Sequence, residues 1–259
     1  MKKNNSLLMI AAAVLLTLSC SALSAQYRDI DPDGPGYAEN CTSIMVGKLA
    51  SADGSVMTSH TCDGNYRTWL EVVPAGTPGL DSIRPIYWGT LHTEAAWDMT
   101  KVTRKGEIPE ASSTFAFLST AYPCLNEKQL AIGETTIYGR KELINTDGLF
   151  LIEELEKIAL QRCTTARQAI ALIGSLAEQY GYGDMAECIT IADPKEVWQL
   201  EIAGSGPGTP SSLWVAQRIP DDHVGIAANI PRISDVRFND PDHFMTSKDL
   251  RKKAKDLGY

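Results

Sequence analysis

The sequence contains no HExxH, no CxxC pair, no low-complexity tract and no obvious internal repeat. The first two absences argue against a zinc centre made of closely spaced ligands. The other two set aside solenoids, propellers and biased disordered arrays. Basic charge is scarce as well: 24 Lys and Arg stand against 32 Asp and Glu, a net charge of −8. A nucleic-acid partner would need a basic face, so none is expected. Past Ala25 no apolar run is long enough to span a bilayer as a helix. The remaining sequence, within 259 residues, suits one globular domain with a sizeable core.

The N-terminus reads as an export signal. Lys2 and Lys3 precede an apolar run from Leu7 to Leu18, followed by small residues up to Ala25, where cleavage is expected. The mature chain is then periplasmic or extracellular. Cys20 suggests lipid anchoring, but Thr17 occupies the place where such signals usually carry Leu. Residues 26–40, "QYRDIDPDGPGYAEN", are polar, rich in Pro and Gly, and aperiodic. They read as a flexible leader, either a disordered tail or a propeptide, ahead of a domain expected over residues 41–259.

Beyond the signal five cysteines remain: Cys41, Cys62, Cys124, Cys163 and Cys188. Their odd number and irregular spacing do not make a disulfide scaffold. Cys62, Cys124, Cys163 and Cys188 read as buried small hydrophobes or disulfide partners.

From Cys41 the pattern is that of strands. "CTSIMVGKLA" and "SVMTSHTCD" flank Ala52-Asp53-Gly54, a hairpin signal. "TWLEVVPA" reads as a third strand, and residues 79–110 carry no clear period. "TFAFLSTAYPC" and "QLAIGETTI" read as two strands joined at "LNEK". Two helices follow, "GLFLIEELEKIALQRC" and "TTARQAIALIGSLAEQYGYG". The second starts at a Thr165/Gln168 capping box and stops at Gly181. Strands resume with "ECITIAD", "EVWQLEIAG", "SLWVAQRI" and "HVGIAANI", and the charged "SKDLRKKAKDLGY" ends the chain as a helix candidate. Successive strands lack intervening helices. The expected class is therefore α+β, with antiparallel sheets and helices packed on them.

Cys41 is the residue on which chemistry would turn. If the chain is cut after Asn40, the Cys41 thiol and its own α-amine share one carbon. An α-amine of pKa about 8 can accept the proton of a thiol of pKa about 8.5 near neutral pH. Such a residue carries its base with it and needs only a carboxylate to orient the amine and donors for an oxyanion. Asp63 ends the strand that returns beside Cys41, and reads either as that carboxylate or as an ordinary turn aspartate before Gly64-Asn65. His60, Cys62 and Asp63 lie close in sequence, but strand alternation splits their faces, which favours a strand end over a metal cage. Glu134 reads as a substrate-amine contact or a solvated strand residue. No cofactor or metal is expected.

The segments "CTSIMVGKLASADGSVMTSHTCD", "NEKQLAIGETTI", "IADPKEVWQLEI" and "AANIPRI" resemble, in order, the dipeptidase family of N-terminal nucleophile hydrolases. That family is related to secernins and, more distantly, to choloylglycine hydrolases and penicillin V acylases. The resemblance runs from Cys41 to about Tyr259. It implies an αββα sandwich of two stacked antiparallel sheets between helix layers, and autocatalytic removal of the leader. It implies that Cys41 is the nucleophile, that Asp63 holds its amine and that Asn229 helps stabilise the oxyanion. Thr136 stands near a variable oxyanion or substrate position, and His60 where the relatives carry an arginine. The expected reaction is hydrolysis of dipeptides or short peptides through a thioester. An N-acyl amide is the alternative substrate, and a non-catalytic remnant the alternative class. Homo-oligomer assembly stays open. Members of that family run well beyond this length and carry a further catalytic arginine near their C-terminal end. A chain ending at Tyr259 is thus expected to be a fragment or an inactive copy, with sheet edges left exposed.

Overall fold

A computed structural model describes residues 40–63, 69–79, 81–89, 100, 102–208 and 210–259. The export signal, the leader up to Glu39 and the turn at Gly64-Asn65 lie outside these residues. The strands are β1 (Cys41–Val46), β2 (Met57–Cys62), β3 (Glu71–Val73), β4 (Ile83–Gly89), β5 (Val102–Pro109), β6 (Phe117–Ser119), β7 (Pro123–Asn126) and β8 (Ala131–Thr136). Helices α1 (Ile152–Arg162) and α2 (Ala166–Tyr180) come next. They are followed by β9 (Ala186–Ala192), β10 (Val197–Gly204), β11 (Ser212–Arg218), β12 (Val224–Ala227), β13 (Phe244–Thr246) and the short helix α3 (Leu250–Asp256).

The class is α+β, and the strands form antiparallel sheets. The large sheet has the order β13-β11-β10-β9-β8-β7-β6-β3, the small one β12-β1-β2, and β4-β5 make a separate pair. The stretch 79–110, which carries no readable period, supplies this β4–β5 pair, with a bulge at Ile86/Tyr87. "TFAFLSTAYPC" folds as two short strands rather than one. The register breaks between Leu118 and Ser119, and Pro123, which has no N–H to donate, opens β7.

Alternation along the central strands shows how the layers stack. On β9, Ile189 and Ile191 join the core under the helices, while Ala186, Cys188 and Ala192 join a second core on the other face. On β10, Trp198, Leu200 and Ile202 face the helices and Val197 the other side. Leu155, Ile158 and Ala159 of α1, with Ile170, Ile173 and Ala177 of α2, close the first core. Each fully buried aliphatic side chain there contributes about 1.5–3 kcal/mol. Met45 and Ala227, from the small sheet, close the second core. The described layers are thus helix pair, large sheet, small sheet.

Local signals fix the helix ends. Thr165 Oγ1 accepts the Gln168 N–H at 3.3 Å, the first half of the expected capping box. The other half differs: Gln168 Oε1 accepts from Thr164, at its N–H (3.0 Å) and its hydroxyl (2.9 Å). Gly181 ends α2 at φ +86, a conformation that glycine takes without penalty. Between β9 and β10, Asp193 accepts from the N–H groups of Lys195 and Glu196 and ties the turn to α2 through the Ala166 N–H at 2.9 Å. No helix among the described residues is long and apolar enough to cross a membrane.

Candidate active site

β1 is the middle strand of the small sheet, so its first residue has a neighbour on each side. Across β2 the register pairs Cys41 with Cys62 and Val46 with Met57. Across β12 it pairs Ser43 with Ala227, which brings the chain after Ala227 back to Cys41. Cys41, Ser43 and Met45 are buried toward the large sheet, and Ile44 points the other way. Asn229 follows β12 with φ +50, a left-handed conformation that Asn tolerates better than most residues.

Three candidates meet through hydrogen bonds. Asn229 Oδ1 accepts the Cys41 N–H at 2.7 Å, and Asn229 Nδ2 donates to the Thr136 carbonyl at 2.7 Å. One side chain therefore bridges the start of β1 to the end of β8 in the large sheet. On the other flank the Asp63 N–H donates to the Asn40 carbonyl at 2.8 Å. Both polar atoms of the Asn40–Cys41 peptide bond are thereby held. Asp63 uses its backbone here, and its carboxylate is exposed.

The Cys41 thiol is held below the usual thiol range, chiefly by a hydrogen bond from Cys62 and with help from the Asp63 N–H. Burial and the charges of Glu134 and Asp63 oppose this shift. Cys62 moves the opposite way, far above the usual range, because it donates to Cys41, is buried and faces Glu134. Of the two thiols, Cys41 takes the charge and Cys62 keeps its proton.

Glu134 is fully buried, with Cys62 Sγ 3.6 Å from its Oε1. Glu187, on neighbouring β9, is pushed well above the carboxylate range by burial and by its charge repulsion and hydrogen bond with Glu134. Glu187 therefore holds a proton between the two carboxyls. His60 faces the seam between the sheets, its ring against Gly133: a Cβ at Gly133 would lie 2.4 Å from His60 Nδ1. Burial pushes the His60 pKa down, so it brings a neutral ring where the resemblance places an arginine.

Cys62 is the member that the sequence hides. It reads there as core or disulfide partner, yet all five described cysteines are free thiols and Cys62 lies on the nucleophile candidate. The signal that could have found it is the hairpin register. The ladder axis falls between Ser51 and Ala52, ahead of Asp53-Gly54, and that offset decides which residue faces Cys41. The ligand atoms of Cys41, Cys62 and Glu134 lie within 4.8 Å of one another, a grouping that no short motif reveals.

Cys41, at the head of the middle strand of the small sheet, with its N–H on Asn229 and its thiol beside Cys62, is the residue around which the candidate site is arranged. The family model of peptidase family C69 matches residues 40–259, and the chain belongs to that family. It is 30% identical over 221 residues to a "Probable dipeptidase" of Latilactobacillus sakei, an alignment covering 82% of this chain and 44% of the relative. It is 27% identical over 243 residues to a "Probable dipeptidase" of Salmonella dublin, covering 87% and 51%. With "Dipeptidase A" of Lactobacillus helveticus it shares 26% over 222 residues, covering 82% and 44%. The chain spans about half the length of the curated relatives it matches.

Proposed function

We propose that this chain carries the nucleophile-bearing part of an exported cysteine dipeptidase of the αββα class, activated by cleavage after Asn40. The observation that carries this reading is the grip on the Asn40–Cys41 bond. Its carbonyl accepts from the Asp63 N–H at 2.8 Å, its N–H donates to Asn229 Oδ1 at 2.7 Å, and the low-pKa thiol sits on the same residue. In self-cleavage the Cys41 sulfur attacks the Asn40 carbonyl carbon, and negative charge grows on the oxygen facing Asp63. The C–N bond breaks, the Cys41 nitrogen takes a proton and becomes the α-amine, and water hydrolyses the thioester.

Loss of Asn40 frees the Asp63 N–H beside Cys41, ready for the oxyanion of an incoming peptide. One such donor is worth roughly 3–4 kcal/mol in the transition state. Asn229 Oδ1 then orients the amine. Its Nδ2 reaches an oxyanion only if it leaves the Thr136 carbonyl. For a dipeptide, Cys41 Sγ attacks the peptide carbonyl, the amine takes the thiol proton and passes it to the leaving amine, and water activated by the same amine releases the acid. The names of the relatives support dipeptides as substrates.

The test is the intact mass and N-terminal sequence of the full chain made in an exporting host, followed by a panel of dipeptides and N-acyl amides. A chain beginning at Cys41 that cuts dipeptides agrees with the proposal. A stable chain that retains residues 26–40 leaves Cys41 without an amine and overturns it. Preference for acyl amides would move the substrate class while keeping the nucleophile.

A further inference from the structure

Cys41, Cys62 and Glu134 converge from three strands at one end of the seam. Cys41 and Cys62 are cross-strand partners, so their side chains leave the β1–β2 ladder on the same face, toward the large sheet. Glu134 comes from β8 of that large sheet. The two Sγ atoms and a carboxylate oxygen all lie within 4.8 Å of one another. Around a tetrahedral zinc ion, with Zn–S near 2.3 Å and Zn–O near 2.0 Å, a sulfur and an oxygen ligand stand about 3.5 Å apart and two sulfurs about 3.8 Å apart. The 3.6 Å between Cys62 Sγ and Glu134 Oε1 already has the length of the first edge. The 4.8 Å bound leaves the thiols at most about 1 Å to close.

We propose that Cys41, Cys62 and Glu134 form a zinc site, with two thiolates and one carboxylate as ligands and a fourth position open. Two soft sulfurs and one oxygen in a tetrahedral arrangement select zinc over magnesium or calcium, which take oxygen ligands in larger numbers. Binding leaves both sulfurs deprotonated, the proton of Cys62 passing to solvent, and the dication offsets the negative charge gathered in a buried place. Glu187, hydrogen-bonded to Glu134, steadies the ligating carboxylate from behind, as outer groups do in protein metal sites. Cys62 is only half-buried, which leaves a way in. The open position takes water, or the α-amine of Cys41 as a five-membered S,N chelate in the processed chain. The amine ligand and the inhibition described next rest on the dipeptidase reading; the metal site itself does not. Since one ligand is the proposed nucleophile, zinc is a reversible inhibitor, displaced by chelators, that keeps the enzyme silent until metal is withdrawn.

The experiment uses the full chain under a non-thiol reductant, which prevents a disulfide between the same two cysteines. Cobalt(II) serves as the spectroscopic probe, with zinc as competitor. Wild type is expected to bind one equivalent of cobalt with thiolate-to-metal absorption, abolished by zinc. Cys62→Ser should lose at least about half of that absorption, Glu134→Gln should weaken binding by about tenfold or more, and Cys124→Ser should bind as wild type does. Lack of thiolate-to-cobalt absorption in wild type, or its undiminished persistence in Cys62→Ser, would overturn the proposal. Glu134→Gln keeps the test open if Cys62→Ser fails to fold. The readout needs no turnover. A chain that binds cobalt but cuts no dipeptide once the metal has been chelated away sinks the dipeptidase reading alone, and one that cuts dipeptides but binds no cobalt sinks this one alone.

Discussion

β9 and β10 of the large sheet are buried along nearly their whole length on both faces, whereas β1, β2 and β12 of the small sheet bury one face and show the other to solvent. The large sheet is pressed between the helix pair and the small sheet, and both of its faces are dominated by apolar contacts. The small sheet contributes few residues to a core, but it carries Cys41, Cys62, His60 and, just past its end, Asn229. This division teaches that most of the core and most of the candidate site rest on different strands. They meet where Asn229 bonds Thr136 and where Cys62 bonds Glu134.

The strongest way to break that division is at Cys41. Cys41→Ala should abolish cleavage after Asn40 and lower dipeptide hydrolysis by roughly 10⁴-fold or more, while unfolding free energy changes by no more than about 1 kcal/mol. Mass spectrometry, a dipeptide assay and urea unfolding on the same preparations check both halves. Dipeptide turnover by the Ala variant would sink the nucleophile assignment.

The converse change lies under the helices. Ile158 of α1 is fully buried in the larger core. Ile158→Ala should cost about 2–5 kcal/mol of stability through lost burial and the cavity left behind. Hydrolysis per folded molecule should stay near wild type. A fall in activity larger than the loss of folded protein would mean that the two layers are not separable.

The same contrast explains what was legible in the sequence. The two helices, the Thr165 cap and the Gly181 stop are local signals, and the structure has all of them with small shifts. Trp198 and Trp214, on β10 and β11, are buried; Trp214 Nε1 donates to Glu178 at 2.9 Å. β4 and β5 were not legible because no period survives where strands bury neither face cleanly. Neither was β13, three residues long, which is held as a strand by its partner β11. In the site, Cys41 was visible from its place after a leader. Cys62 and the burial of Glu134 were not, because they depend on hairpin register and on which strand of the other sheet lies beneath. Those are contacts between residues 21 and 72 positions apart, which no spacing rule encodes.

A smaller effect tests whether polar burial is confined to the seam. Glu156 of α1 is fully buried, and neither of its carboxyl oxygens meets a partner among the described residues. Burial first, and the charges of Glu134 and Glu153 next, push its pKa well above the carboxylate range. Above pH about 4.3 the unfolded chain releases this proton and the folded chain keeps it. The unfolded state then binds fewer protons, so this group makes stability fall as pH rises, by about 1.4 kcal/mol per unit, until the folded pKa is reached. Glu156→Gln has no proton to lose. Its stability should fall less between about pH 5 and about pH 7 than that of wild type, leaving it the more stable protein at the upper end. Parallel urea curves for the two proteins across that window would show that Glu156 is solvated in solution.

The smallest effect belongs to the outer face of the small sheet. Ile44, Val224, Ile226 and Met57 are 43%, 56%, 56% and 45% exposed there, and Ile44 pairs directly with Ile226 across the ladder. One residue along, Met45 is fully buried on the opposite face. Ile226→Thr keeps a β-branched side chain suited to a strand and removes little buried area, so it should shift the unfolding free energy by less than about 0.5 kcal/mol. Met45→Thr should cost several times more, since it leaves both a cavity and a hydroxyl between the sheets. Urea unfolding of the pair measures the difference between the two faces of one strand pair. If Ile226→Thr were as costly as Met45→Thr, the outer face would be covered in solution. The small sheet would then be buried on both sides like the large one, and the division of labour between them would have to be redrawn.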